Sequence, residues 1–194
     1  VAAVEARLEY PVFVKPCNLG SSVGMCKVHS RDELGPALDL AARYDRKVIV
    51  EAAADGRELE CGVLGNEAPR ASVPGEVVPA NEFYDYEAKY TDGMMALTIP
   101  APLGPAVTEE VRRLAVRAYS AIDCAGFARC DFFLERATGS VLVNEINTIP
   151  GMTAMSAFPR LWEATGLDHR QLMDEIVGLG LRRHAVRRGL LTTH

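Results

Sequence analysis

No run of apolar residues in this chain approaches the ~20 that a membrane-spanning helix needs, so none is expected. No Cys-x-x-Cys pair occurs, and no histidine stands at zinc-ligand spacing from a cysteine. The five cysteines, Cys17, Cys26, Cys61, Cys124 and Cys130, are odd in number and scattered. That excludes a disulfide framework and reads as buried thiols in a reducing cytoplasm. Long basic runs are missing, and the net charge of −5 argues against a nucleic-acid surface. The short basic end, Arg182-Arg183-His184 with Arg187-Arg188, reads as a solvated helix terminus. Internal repeats and low-complexity segments are lacking. No signal peptide is visible, since VAAVEARLEYPVF carries Glu5, Arg7 and Glu9. No initiator methionine opens the chain, and residues 1–9 read as the rear half of a helix. The expectation is a chain that begins inside a domain.

What is present suffices to fold. The 194 residues are 48% hydrophobic, enough for one large or two small cores. The most informative stretch is 126–156, GFARCDFFLERATGSVLVNEINTIPGMTAMS. FARCDFFLE and SVLVNEIN read as two strands. Arg136-Ala137-Thr138-Gly139 reads as their hairpin connection, with Gly139 free to take positive φ. Side chains alternate along a strand, so Arg129 and Asp131 share one face, as do Glu145 and Asn147. A register pairing Glu135 with Val141 sets Asp131 across from Glu145 and Arg129 across from Asn147. Facing carboxylates repel unless a cation lies between them. Oxygen ligands on strands suit Mg²⁺. The alternative is a sheet face with ordinary charges. The opposite face, Cys130, Phe132, Leu134, Leu142 and Ile146, supplies the apolar side. Pro150 then stops the pairing. The chain turns there, and the Thr153 and Ser156 hydroxyls are expected to aim at whatever binds.

Upstream, PVFVKP (11–16) reads as a strand ending near Lys15. In the loop that follows, Gly20 and Gly24 bracket Ser21 and Ser22, a pattern that lets backbone and hydroxyl donors approach phosphate. It is not a Walker A loop, because it joins two strands. A plain hairpin and a solvated Lys15 remain the alternatives. Helix 31–44 is predicted from a capping box of Ser30 and Glu33 and a stripe of Leu34, Ala37, Leu38, Ala41 and Ala42. KVIVE (47–51) reads as a buried strand, 52–56 as a connector and 57–65 as another strand; the connector is a simple edge or a domain hinge. Residues 66–80 are turn-rich. Residues 81–104 crowd aromatic side chains among charges, as a surface turn or as a segment folding over a polar ligand. Helix 109–122 is predicted with Thr108 as N-cap. A short helix follows at 158–165. The last helix, 169–183, is capped by Asp168 with Leu172, Met173, Ile176, Val177 and Gly180 inward. His169 and His184 read as solvated.

R-C-D at 129–131, N-E-I-N at 144–147 and P-G-M-T-A-M-S at 150–156 resemble the C-terminal signature of D-alanine–D-alanine ligases, in the ATP-grasp superfamily. VKPxNLGSSVG at 14–24 resembles that family's phosphate-covering loop, and E-A-K-Y at 87–90 the start of its ω-loop. The resemblance implies an α+β ATP-grasp fold, two lobes with nucleotide held between them. Residues 1–50 would be the remainder of the central, small lobe, and 51–194 the C-terminal lobe with the metal and substrate sites. By motif match, Asp131, Glu145 and Asn147 would bind two Mg²⁺ (or Mn²⁺). Arg129 would stabilise the acyl-phosphate and tetrahedral species, and Gly151 and Ser156 would contact substrate. Lys15 would bind the α- and β-phosphates of ATP, with Ser22 also among the nucleotide-binding residues. Ser21 would bond toward the first D-alanine. Glu51 would contact the base edge, the backbone near Ala54 the ring, and Glu58 the ribose hydroxyls. Lys89 would bind the γ-phosphate, and Tyr90 would bond Ser21.

The implied reaction is ATP-dependent joining of two D-alanines through an acyl phosphate, feeding peptidoglycan synthesis in the cytoplasm. The implied partner is D-alanine, with neither nucleic acid nor membrane, and the full-length form allows a homodimer. A D-alanine–D-lactate or other carboxylate–amine ligase is one alternative, disfavoured by FYDYEAKY. A nucleotide-binding fragment without turnover is another. Family members carry an N-terminal domain and a further ATP-binding lysine, so the chain is expected to be a fragment.

Overall fold

Val12, Val14 and Pro16 are buried while Phe13 and Lys15 between them are half-buried, the two-residue alternation of strand β1 (Val12–Pro16). The structure is a computed structural model and describes residues 1–20, 22–79 and 95–190. Two compact units are built, one from Val1–Asp55, the other from Gly56–Val78 with the chain from Leu97 onward.

In the first unit, α1 (Ala2–Glu5) precedes β1, followed by β2 (Cys26–Val28), α2 (Arg31–Ala42) and β3 (Val48–Ala52). The sheet order is β2-β1-β3, antiparallel throughout. Val12, Val14 and Val28 pack against Leu34, Ala37 and Ala41 of α2. Two helix expectations fail. Ala42 is exposed, because one step beyond Ala41 turns it about 100° around the helix, toward the rim of the stripe. The capping box does not form either. Ser30 is the N-cap but makes no side-chain cap bond, and the Glu33 carboxylate accepts from the His29 N–H at 2.8 Å. Strand β3 is half-buried rather than buried, and Glu51 lies inside it, not at its end.

The second unit contains β4 (Gly56–Gly65), β5 (Arg70–Ala71), β6 (Gly75–Pro79), β7 (Met95–Thr98), α3 (Pro105–Ala121), β8 (Gly126–Glu135), β9 (Val141–Asn147), α4 (Ala157–Ala164) and α5 (His169–Arg188). The sheet order is β7-β6-β4-β8-β9, with β5 paired to β4. The turn-rich reading of 66–80 is corrected: the segment carries β5 and β6, joined through turns, along β4. Leu59, Cys61 and Val63 of β4 and Ala128, Cys130 and Phe132 of β8 face α3, where Val111, Ala115 and Tyr119 complete a core. On the other face, Leu64 and Phe127 lie beneath Phe158, Trp162, Leu172 and Leu179 of α4 and α5. Gly62 is required there. A Cβ at this position would stand 2.7 Å from Trp162 Nε1.

The β8–β9 register is set by a bulge. Arg129 pairs with Asn147 and Asp131 with Glu145, but beyond them Phe132 pairs with Val143 and Leu134 with Val141. Asn144 is the extra residue. Val141 therefore pairs with Leu134, not Glu135, and Leu142 is exposed rather than in the core. Val141 and Ile146 pack on the apolar side instead.

Helix α3 starts at Pro105 with Gly104 as N-cap, not at Glu109. Proline suits the first helical position, and the Thr108 N–H already donates to the Gly104 carbonyl at 3.0 Å. Helix α5 does carry the full Asp168–Gln171 capping box, and it runs to Arg188. Leu172 and Leu179 are its buried residues; Val177 points outward at 61% exposure, off their stripe. All five thiols are free, and Cys17 is exposed rather than buried because it follows the end of β1. Burial pushes both Cys61 and Cys130 up to about 12, so these two remain unreactive thiols. No helix among the described residues is long and apolar enough to cross a membrane.

Candidate active site

Where α4 and α5 stop covering the second unit's sheet, its face turns from apolar to acidic. Glu60, Asp131 and Glu145 lie side by side on β4, β8 and β9 in register. Such a row of like charges is unfavourable unless a cation intervenes. Here the cation is Arg129. Its Nε and Nη2 each donate to Asp131 at 2.7 Å, a bidentate pair, and Nε lies 3.3 Å from Glu60 Oε1. Burial works against the charged guanidinium, but Asp131, then Glu60 and Glu145, outweigh it and raise its pKa. Arg129 stays charged at any working pH. Three carboxylates against one guanidinium leave the row with excess negative charge. Glu58 lies two residues from Glu60 on the same face of β4, opposite Phe133.

The chain leaving β9 is held by its own side chains. Asn147 Oδ1 accepts from the Ile149 N–H at 3.1 Å. Gly151 has no room for a side chain, since a Cβ would lie 2.7 Å from Ser156 Oγ. The Thr153 and Ser156 hydroxyls are 2.8 Å apart, and Ser156 Oγ also accepts the Thr153 N–H at 3.2 Å. The two hydroxyls bond each other here. The arrangement satisfies the Thr153 backbone donor in the loop that leads to α4, whose N-cap is Ser156. His169 Nε2 sits 3.2 Å from the Met152 carbonyl, so it has a protein partner and braces this loop to α5.

In the first unit, Lys15 Nζ and Glu51 Oε2 form an ion pair at 2.7 Å across β1 and β3. The two residues assigned to opposite ends of a nucleotide therefore meet each other here. The loop after Lys15 is anchored where Asn18 donates its N–H and its Nδ2 to Asp45, each at 2.8 Å. Ser22 takes φ 58°, a left-handed conformation that costs a non-glycine residue about 1–3 kcal/mol. Gly24 at φ 72° has no space for a Cβ, which would lie 2.5 Å from the Tyr44 ring. Ala54 is half-buried between β3 and β4. Ser21, Lys89 and Tyr90 lie outside the described residues.

Comparison with known proteins matches this arrangement to one family. The family model described as D-ala D-ala ligase C-terminus matches residues 1–178. The chain belongs to that family. It is 54% identical over 186 residues to the D-alanine--D-alanine ligase of a Thermoanaerobacter species, covering 94% of this chain and 52% of that protein. It is 50% identical over 184 residues to the Acetivibrio thermocellus D-alanine--D-alanine ligase, covering 95% and 49%. Among solved structures, the D-alanine-D-alanine ligase from Coxiella burnetii superimposes with a TM-score of 0.84 at 38% identity, covering 96% of this chain and 49% of that one. The VanG D-Ala:D-Ser ligase from Enterococcus faecalis gives 0.83 at 37% identity, covering 92% and 52%. These neighbours have the ATP-grasp fold, and so does this mixed helix-and-sheet chain. The chain spans about half the length of the curated relatives it matches.

Within this family member, Asp131, Glu145 and Asn147 offer only oxygen donors from one sheet face, which fits a hard divalent cation such as Mg²⁺ or Mn²⁺. Among the described residues no group of three or more His, Cys, Asp or Glu side chains is arranged to hold a metal ion. The set here is two carboxylates and an amide, and Arg129 occupies both oxygens of one carboxylate. Glu60 was missed from sequence. Its signal was there: in Arg57-Glu58-Leu59-Glu60-Cys61 the carboxylates alternate with apolar residues, so Glu60 shares a face with Glu58. At 8% exposure it needs a cation nearby.

Proposed function

We propose that this chain is the ATP- and metal-binding part of a D-alanine–D-alanine ligase, a cytoplasmic enzyme of peptidoglycan synthesis. The observation that carries the reading is the register that brings Asp131 opposite Glu145 and Arg129 opposite Asn147 on one sheet face. The relatives named D-alanine--D-alanine ligase support the substrate assignment. The first unit would be the rest of the central lobe and the second the C-terminal lobe. Asp131, Glu145 and Asn147 would hold two Mg²⁺ or Mn²⁺. When bound, these ions neutralise charge on the phosphates during phosphoryl transfer.

The chain's own residues supply the remaining positive charge and the positioning. Lys15 would exchange Glu51 for the α- and β-phosphates, freeing Glu51 for the base edge. The Ser21–Ser22 backbone would cover the phosphates, and Lys89 would meet the terminal one. Ala54 and Glu58 would take the ring and ribose. Arg129 would stabilise negative charge on the carboxylate of the first D-alanine as it is activated and attacked. Gly151 and Ser156 would contact substrate, Ser21 would bond toward the first D-alanine, and Tyr90 would bond Ser21.

The test uses the full-length protein that carries this chain. ADP release should depend on D-alanine, and chromatography should show the dipeptide. Asp131→Asn should lower the rate roughly 100-fold or more. ADP release indifferent to D-alanine, with no dipeptide, overturns the assignment. The VanG likeness favours testing D-serine beside D-lactate as second substrate. D-alanine should win both competitions.

A further inference from the structure

Arg129 lies between two carboxylates but treats them unequally. It grips Asp131 through two 2.7 Å hydrogen bonds and stands 3.3 Å from Glu60. Both bonds to Asp131 use the same oxygens that a cation would need. A metal ion at Asp131 and a bidentate guanidinium at Asp131 therefore compete. The three side chains are only 11–19% exposed, so a displaced guanidinium cannot turn to bulk water without losing its place at the site. Glu60 is a second carboxylate already within ion-pair distance, on the rigid centre of β4, opposite Asp131 in the ladder. It sits on the far side of Asp131 from Glu145, away from β9.

We propose that Glu60 is a positioning residue that takes over the Arg129 guanidinium when Asp131 turns to a metal ion. This rests on the metal reading above. Glu60 lets one arginine serve two states. Without metal, Arg129 neutralises Asp131 and keeps the acidic row from repelling itself. With metal, Arg129 shifts its weight by a fraction of its own reach to Glu60. It stays on the sheet face with its charge available, while both oxygens of Asp131 become free. Glutamate suits this role because its extra methylene spans the distance between neighbouring strands. The guanidinium's planar fork can reach two carboxylates from separate nitrogens in fixed directions, whereas an ammonium offers a single nitrogen.

The experiment titrates Mn²⁺ into the protein, following free Mn²⁺ by electron paramagnetic resonance, for the parent and for Asp131→Asn, Glu60→Gln, Arg129→Lys and Glu60→Gln/Arg129→Lys. Thermal melts check that each is folded. Glu60→Gln should bind Mn²⁺ roughly threefold to tenfold more weakly, since the guanidinium then has Asp131 as its only charged partner of the pair. The same change in the Arg129→Lys background should have little effect. A second readout needs no arginine variant. In ¹⁵N spectra at saturating Mg²⁺, the Arg129 Nε–H should stay slow to exchange in the parent and become labile in Glu60→Gln. Glu60→Gln matching the parent in both readouts overturns the role. An equal loss in both backgrounds also overturns it, because Glu60 would then act on the metal by charge alone. If the parent binds no Mn²⁺, or Asp131→Asn binds as well as the parent, the metal reading fails first and this proposal with it.

Discussion

Leu59 and Glu60 are neighbours in β4, yet they belong to different chemistries. Leu59 joins Cys61, Val63, Cys130 and Phe132 on a face sealed by α3, nearly free of solvent. Glu60 joins Asp131 and Arg129 on the opposite face, where charges are held within hydrogen-bond distance of one another. The same strands thus carry stability on one side and candidate chemistry on the other. The separation rests on nothing more than the two-residue period of a strand. Substitutions on the two faces should therefore be separable in what they change.

The largest effect on folding should come from the sealed face. Phe132 is 1% exposed, and Phe132→Ala should lower stability by about 3–5 kcal/mol. Denaturant unfolding measures this, and Mn²⁺ affinity of the remaining folded protein should match the parent. A lost affinity would break the separation. Next comes Gly62→Ala, where the added methyl must displace the Trp162 indole, for a loss of about 1–3 kcal/mol. Because Ser156, the N-cap of α4, also closes the loop from Gly151, that variant should also disturb this loop, which sharpens where the two faces meet. Asp131→Asn should do the reverse of Phe132→Ala. It relieves repulsion along the row and leaves Arg129 beside Glu60, so metal-free stability should move by under about 2 kcal/mol while Mn²⁺ binding collapses.

The smallest effect concerns pH. Glu76 on β6 receives two hydrogen bonds from Arg57, at 2.6 and 2.7 Å. That partner lowers its pKa against the opposing pull of burial. A carboxylate depressed in the folded state adds stability that is full above its unfolded value and is lost as pH falls through the folded one. Glu76→Gln should lower the stability plateau above pH ~6 by about 1 kcal/mol or less and converge with the parent as pH falls, so that its acid limb is flatter. An unchanged acid limb would assign the acid sensitivity to other carboxylates.

The facing of Asp131 and Glu145 was legible because alternation is a local property of each strand. The bulge at Asn144 was not, because inserting one residue changes neither composition nor period on either side of it. The reading paired the right residues at the site and the wrong ones beyond it. Glu60 escaped for a different reason. Its partners lie on β8, far along the chain, and no local pattern announces which strand will become a neighbour. Helix α3 carried two start signals, Pro105 and Thr108, and the stronger backbone constraint of proline prevailed. Conversely, the Asp168 cap was read correctly because its partner, Gln171, is three residues away.

The central claim is that the acidic sheet face is a divalent-metal site. Crystals of the protein grown with ADP and Mn²⁺, measured for manganese anomalous scattering, test it directly. The account predicts anomalous density within about 2.5 Å of carboxylate oxygens of both Asp131 and Glu145, with Arg129 no longer bidentate on Asp131. Fully occupied manganese elsewhere, with none between these strands and the 2.7 Å Arg129–Asp131 pair intact, would contradict it.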